Sequence, residues 1–343
     1  MATRFECVLH GDDPASLRAA GEEALDEIER LEAQLSLFRP DSEIAAVNAR
    51  AASAPVRVTP TVFRLLQQAR KLSHETGGAF DITVAPLVRC WGFMEGTGRV
   101  PSAAELAAVR ERVGMTLVEL DEDEFTVRFA RPGMMLDLGA IGKGCAIERA
   151  AEILRDDGVT SALIHGGTSS VYALGHPPDS ESWQVGIDHP ETWTGGQATR
   201  QAGGSFVRLQ GPGARTSQAA PGQAAARLDD PASAPRMITV PLRDESLSVS
   251  AVWGKFFRAD GKVLGHVLDP RTGWPAAGAL LAAVVLPSAT ESDALSTALL
   301  TIGAHGHEHI ARLRPGMRTL LATETEGQVR LESRGAWTGV GDS

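Results

Sequence analysis

The chain has 343 residues, with 33 Lys and Arg against 43 Asp and Glu, and its formal net charge of −10 argues against non-specific nucleic-acid binding. Hydrophobic residues at 43% and charged residues at 22% are the proportions of a folded protein, and no apolar run approaches the roughly 18 residues of a membrane span. Cys7, Cys90 and Cys145 are too few and too scattered for a disulfide framework, and none belongs to a C-x-x-C pair. The opening MATRFECVLHGDD has neither the basic nor the apolar region of a secretory signal, so the sequence predicts a cytoplasmic location and no transmembrane segment.

Asp13-Pro14 places a capping side chain before a proline at the first helical position, and Leu17, Leu25, Ile28, Leu31 and Leu35 follow at helical spacing. A second helix is predicted from Thr59-Pro60 through Val62, Phe63, Leu66, Ala69 and Leu72. A third follows Ser102, where Glu105 completes a capping box ahead of Leu106, Val109 and Val113. Runs 117–120 and 125–129 flank the acidic 121–124 and predict a hairpin. Met134 to Leu138 predicts a strand that feeds the glycine turn Gly139-Ala140-Ile141-Gly142-Lys143-Gly144 and then a helix. Strands are expected at 162–165, 171–174 and 183–187. Between Pro190 and Pro235, Gly, Ala, Pro, Gln and Ser predominate and apolar periodicity is lost, which predicts a flexible insertion. Further strands are expected at 237–242, 247–252 and 280–286, with a hairpin from Lys255 to Asp269 around Asp260-Gly261. A helix capped by Thr290 or Ser292 stops at Gly303, and strands at 320–323 and 329–331 close the chain. The class is α+β, or mixed α/β, and the chain reads as one domain over 1–343 carrying the 190–235 insertion.

Several side-chain groups could carry chemistry. Gly139 to Gly144 puts three glycines and Lys143 at a helix mouth, where backbone N–H groups and the dipole can hold a phosphate; a turn built only for close packing has the same pattern. Asp293 and Thr297 stand four apart on a predicted helix, so both oxygens project from one face and could clamp Mg²⁺, or simply cap and pack the helix. His266, Asp269, Arg271 and Thr272 crowd one Pro/Gly turn, where an imidazole can take a proton and an arginine fork can hold phosphate oxygens. Asp81, near Trp91-Gly92-Phe93, could accept from a purine amino group or cap a turn. His305, His307 and His309 alternate, but Gly303 and Gly306 interrupt them and favour an exposed loop over a metal site. Gly167-Thr168-Ser169-Ser170 is no nucleophile elbow.

Taken in order, six blocks resemble the FAD:protein FMN transferase family, the ApbE-like flavin transferases. They are LSLFRPDSEI from Leu35, GAFDITVAPLV from Gly78 with Trp91-Gly92-Phe93, DLGAIGKG from Asp137, His165-Gly166-Gly167, HVLDPRTGWP from His266, and SDALSTA from Ser292. The resemblance implies an ApbE-like fold, with mixed sheets and helices around a flavin-binding cleft. It implies an enzyme that binds FAD with Mg²⁺ and passes the FMN half, through its phosphate, to a Thr or Ser hydroxyl of an acceptor protein with release of AMP. Two alternatives accompany it: an FAD pyrophosphatase giving FMN and AMP, and a non-catalytic FAD carrier. Carried over by position, Asp293 and Thr297 are metal ligands, with the Ala140 and Ser296 carbonyls completing the shell. Asp293 and His266 become the catalytic pair, His266 as base or phosphate partner. Asp81 falls on the adenine side and Phe38 near the flavin, and Gly139, Ala140 and Lys143 border the phosphates; Ser250 and Arg271 complete the dinucleotide-binding set. The chain departs from the family where Val249-Ser250-Ala251 replaces a common Thr-Ser-Gly, where Phe38 replaces a frequent Tyr, and where His165 stands in place of a smaller or amide-bearing residue. Most relatives are exported or lipid-anchored, so an exported mature form is the alternative to a cytoplasmic protein.

Overall fold

Leu281–Leu286, LAAVVL, is apolar at every position because both of its faces are covered. The computed structural model, which describes residues 3–167, 169–188, 207–210, 236–326 and 328–337, places this strand inside a seven-stranded sheet. The spatial order is Phe5–His10, Ser161–Gly166, Ser170–Leu174, Glu245–Ala251, Leu281–Leu286, Arg318–Thr325 and Gln328–Arg334, with every neighbouring pair antiparallel. Ala282, Val284 and Leu286 face a core built with the helices, while Leu281, Ala283 and Val285 face a second core. Each fully buried Val or Leu here contributes about 1.5–3 kcal/mol relative to exposure.

The helical layer consists of Gly142–Asp156 and Ala289–Ile302 laid on the sheet, with Pro14–Leu35 packed over the first of them. The opposite layer is a small antiparallel sheet ordered Val207–Gln210, Trp183–Asp188, Arg236–Leu242, which contributes Val185, Ile187 and Val240 to the second core. A third cluster, with Leu87, Trp91, Phe93, Leu106 and Leu268, forms where Ala85–Cys90 and Ala103–Arg110 meet the hairpin Phe256–Ala259 and Lys262–Gly265. No helix among the described residues is long and apolar enough to cross a membrane.

The Glu245–Ala251 strand breaks the apolar rule on its helix-facing side. Ser246, Ser248 and Ser250 alternate along it and meet Ser292 and Ser296 on the 289–302 helix, at 2.7 Å for Ser246–Ser292 and 2.8 Å for Ser250–Ser296. These hydroxyls satisfy one another, and Ser246 Oγ also donates to the Leu286 carbonyl at 3.0 Å, so the buried polar seam carries no orphan oxygen.

Local capping signals describe the helix starts well. Asp13 Oδ1 accepts from Ala15 N–H ahead of Pro14, Thr59 caps Pro60–Glu75, and Ser102 with Glu105 forms the expected box. Four expectations need correction. Met134 to Leu138 joins no ladder; Leu136 exchanges both its backbone bonds with the Asn48 amide, and Asp137 N–H donates to the Ile82 carbonyl, so a side chain replaces a neighbouring strand. Ser288, not Thr290 or Ser292, caps the 289–302 helix, because its hydroxyl reaches Glu291 N–H. Residues 304–311 are helical turns rather than an exposed loop, and His307 is buried with Nε2 on Thr319 Oγ1 at 2.8 Å. Within the 190–235 insertion, 207–210 forms a strand; the rest of that stretch lies outside the described residues. The Phe5–His10 strand and the Glu43–Arg50 helix are elements that the sequence patterns did not single out.

The two sheet-covering helices touch at Gly144, where an added Cβ would overlap the Ala289 carbonyl and crowd Asp293 Cβ. Gly144→Ala should therefore force the helices apart and destabilise the fold by about 1–3 kcal/mol, read as a lower urea midpoint; an unchanged midpoint would mean that the contact yields freely.

Candidate active site

A cavity of about 370 Å³ opens where five stretches of chain converge: 79–84, 137–143, 249–254, 266–270 and the middle of the 289–302 helix, at Asp293 and Thr297. Its size falls in the range of small-molecule sites. Of the residues singled out from sequence, Asp81, Gly139, Ala140, Lys143, Ser250, His266, Asp293 and Thr297 all line it. Phe38 and Arg271 do not. Phe38 is 74% exposed on the loop after the first helix. Arg271 spends its fork on Asp269, with Nε to Oδ1 and Nη2 to Oδ2 both at 2.9 Å, so its own turn rather than a phosphate takes the guanidinium.

Asp293 is the hub. It is 4% exposed, and Oδ2 accepts from Gly144 N–H at 3.0 Å while Oδ1 lies 3.5 Å from Lys143 Nζ and accepts from Ser170 Oγ at 3.5 Å. The 142–156 helix begins after Ile141, which offers no capping side chain, so Asp293 supplies the missing acceptor from another helix. Lys143 Nζ also donates to the Gly139 carbonyl at 3.2 Å. One turn along, Thr297 Oγ1 stands 3.1 Å from Ser250 Oγ and donates to the Asp293 carbonyl at 3.4 Å. A carboxylate, a hydroxyl and an ammonium thus share one wall beside the carbonyls of a glycine turn.

The His266 ring forms the facing wall. Its Nδ1 lies 3.2 Å from Lys255 N–H and 3.1 Å from the Lys255 carbonyl, and Nε2 bonds to nothing among the described residues. Burial, against the opposing bond to the Lys255 backbone and helped by the Lys255 and Lys143 ammonium groups, holds the imidazole below the ordinary histidine value, so it is neutral near pH 7. Gly254 makes the ring position possible, since a Cβ there would sit 2.6 Å from His266 Cε1.

Asp81 reaches the cavity lining with its lone pairs already used. Oδ1 accepts from Thr83 N–H at 2.8 Å and Thr83 Oγ1 at 2.6 Å, and Oδ2 from Ser73 Oγ at 3.1 Å and Met115 N–H at 2.9 Å. The carboxylate thus clasps the 81–84 turn, which it caps, at the edge of the cavity. Ser250, likewise, turns its hydroxyl to Ser296 and Thr297. Val249 and Ala251 pack into the second core.

Sequence reasoning passed over Asp137, a cavity carboxylate three residues before Ala140. Oδ1 accepts from Gly139 N–H at 2.8 Å, and Oδ2 accepts nothing among the described residues. Burial raises its pKa, against the opposing pull of the Gly139 N–H, Lys143 and Lys255. The signal was present in Asp137-Leu138-Gly139, but an Asp before a glycine turn reads first as a turn residue.

A family model described as the ApbE family matches residues 1–321. This chain belongs to the ApbE family. Curated relatives named FAD:protein FMN transferase include one from Treponema pallidum, 29% identical over 89% of this chain and 77% of its own length. Another, from Klebsiella pneumoniae, is 29% identical over 87% of this chain and 80% of its own length. The apo flavinyl transferase ApbE of Pseudomonas stutzeri superposes with a TM-score of 0.74 at 24% identity, covering 96% of this chain and 95% of that one. The ApbE protein of Thermotoga maritima gives 0.73 at 24% identity, over 96% and 92%. These two establish the fold: the α+β arrangement is that of ApbE flavin transferases.

The environment of His266 makes a direct expectation. Its ring protons, followed by NMR through a pH titration, should shift with a midpoint below the usual histidine value of about 6.5; a midpoint at or above that value would contradict the buried site.

Proposed function

We propose that the chain is a Mg²⁺-dependent FAD:protein FMN transferase, which moves the FMN part of FAD through its phosphate to a Thr or Ser hydroxyl of an acceptor protein and releases AMP. The observation that carries this reading is the meeting of Asp293, Thr297, Lys143, the 139–141 turn and a neutral His266 in one cavity of an ApbE-family chain. Curated relatives bear the transferase name over most of the chain, which supports the same activity here. We also read 1–343 as one functional unit, because residues from both its N-terminal and C-terminal halves line this cavity.

The donor set fits a hard divalent cation. No group of three or more His, Cys, Asp or Glu side chains gathers among the described residues, whereas Asp293, Thr297 and the Ala140 carbonyl offer one charged and two neutral oxygens. Such a shell leaves positions for phosphate oxygens. Lys143 against Asp293 already marks the spot as one that draws positive charge. When bound, Mg²⁺ supplies charge that screens the diphosphate and stabilises negative charge as it is split. The chain's own groups do the rest. Asp293 and Thr297 hold the metal, Lys143 and the start of the 142–156 helix draw the diphosphate, and His266 either donates to a phosphate oxygen or takes the hydroxyl proton.

Incubation with FAD, Mg²⁺ and a Thr-bearing acceptor peptide tests the reading. Covalent flavin on the peptide with equimolar AMP is expected; free FMN and AMP would instead indicate a pyrophosphatase, and unchanged bound FAD a carrier. Asp293→Asn keeps an acceptor for Gly144 N–H while removing the charge, and should abolish the Mg²⁺ response with the fold retained. Asp293→Ala additionally strands that N–H, at about 1–3 kcal/mol. Full Mg²⁺-dependent turnover in Asp293→Asn would discard the metal assignment.

A further inference from the structure

The hairpin of Phe256–Ala259 and Lys262–Gly265 has two faces, which its register separates. Directly opposed residues point to the same side, so Phe257 and Leu264 share one face while Phe256, Arg258 and Val263 share the other. The first face is the anchor: Phe257 and Leu264 pack on the third core, with the Phe257 ring 5.5 Å from Phe93 and 6.3 Å from Trp91. The second face is bare. Phe256 is 50% exposed and Val263 is 45% exposed, and the exposed Arg258 stands opposite Val263. Single exposed apolar side chains are common on any surface. Here, however, a Phe and a Val share one face of a two-stranded sheet whose edges pair with no other strand among the described residues, so free backbone groups flank the patch.

Both strands of the hairpin spring from the cavity wall. Gly254, two residues before Phe256, and His266, directly after Gly265, line the cavity. Two extended residues span about 7 Å, so a polypeptide laid on the bare face has its next few residues beside the His266 wall. The charge of the hairpin is the opposite of the chain's. Residues 255–265 carry Lys255, Arg258 and Lys262 against Asp260 alone, in a protein of net charge −10. Arg258 and Lys262 are exposed and pair with no carboxylate among the described residues. An apolar patch interleaved with unpaired cations is complementary to a segment that is both apolar and acidic.

We propose that the bare face of this hairpin docks the acceptor protein, through an extended acidic segment whose apolar side chains cover Phe256 and Val263 and whose carboxylates meet Arg258 and Lys262. This rests on the transferase reading, which requires a polypeptide to reach the cavity. The unpaired strand edges add main-chain hydrogen bonds to such a segment. A second copy meeting this face with its own would set Arg258 against Arg258, like charge on like.

A library of short peptides, each with a central Thr and randomised flanks, tests the surface twice. Capture by the immobilised full chain without FAD or Mg²⁺ reads docking alone, and flavinylation of the same library with FAD and Mg²⁺ reads transfer. Captured and flavinylated peptides are both expected to be rich in Asp and Glu. Arg258→Glu with Lys262→Glu should turn that preference toward Lys and Arg, and Phe256→Ser with Val263→Ser should lower capture on the order of tenfold. FAD affinity by calorimetry should stay unchanged in both, since none of the four residues lines the cavity. Capture without an acidic preference, or a preference that the charge-reversed protein keeps, would overturn the proposal. So would binding to phosphatidylglycerol vesicles, or self-association in sedimentation, that the serine substitutions abolish while peptide capture stays the same. Acid-rich capture by a wild-type protein that forms no covalent flavin and no AMP would refute the transferase reading, and with it the acceptor as occupant; transfer that ignores peptide charge would refute the docking face alone.

Discussion

The hydrogen bond from Gly144 N–H to Asp293 Oδ2 joins the two helices that cover the main sheet, and the candidate site is organised around it. It works only because Gly144 lets one helix meet the Ala289 carbonyl of the other without a side chain between them. The same carboxylate serves as a remote cap for a helix whose own Ile141 cannot cap it, and it faces the cavity with Lys143 beside it. Fold and cavity draw on one group. A charge buried to this degree is tolerated because an N–H, a hydroxyl and an ammonium surround it.

The seam of serines along the 245–251 strand complements that bond. Apolar contact between a strand and a helix leaves sliding inexpensive, whereas hydroxyl pairs such as Ser246–Ser292 and Ser250–Ser296 are directional and fix the helix in one register. Register matters because Thr297 and Asp293 must arrive together at the cavity, and Ser250 touches Thr297 as well as Ser296. The strand therefore gives up apolar burial on one face to locate the Asp293–Thr297 pair.

How much of this was legible in the sequence depends on how far each interaction reaches. Caps at Asp13, Thr59 and Ser102 lie within three residues of their targets, so pattern reading found them. The 134–138 run misled because an apolar extended segment satisfied by the distant Asn48 looks, locally, like a strand satisfied by a neighbour. Arg271 misled in the opposite way, since its partner Asp269 stood two residues off in plain view. Asp293 and Thr297 were readable as a pair from helical spacing, but their meeting with Lys143, His266 and Asp137 is a matter of tertiary packing that only family resemblance could anticipate. Asp137 stayed hidden because what distinguishes it is an oxygen without a donor among the described residues, which no spacing encodes.

The four internal hydrogen bonds to Asp81 carry a consequence for recognition. A wall whose carboxylate is saturated from within is already ordered before anything enters, so little conformational entropy is lost there on association. Ala79, Phe80 and Ile82 line the cavity on the same flank. That flank imposes its shape on whatever enters instead of adapting to it.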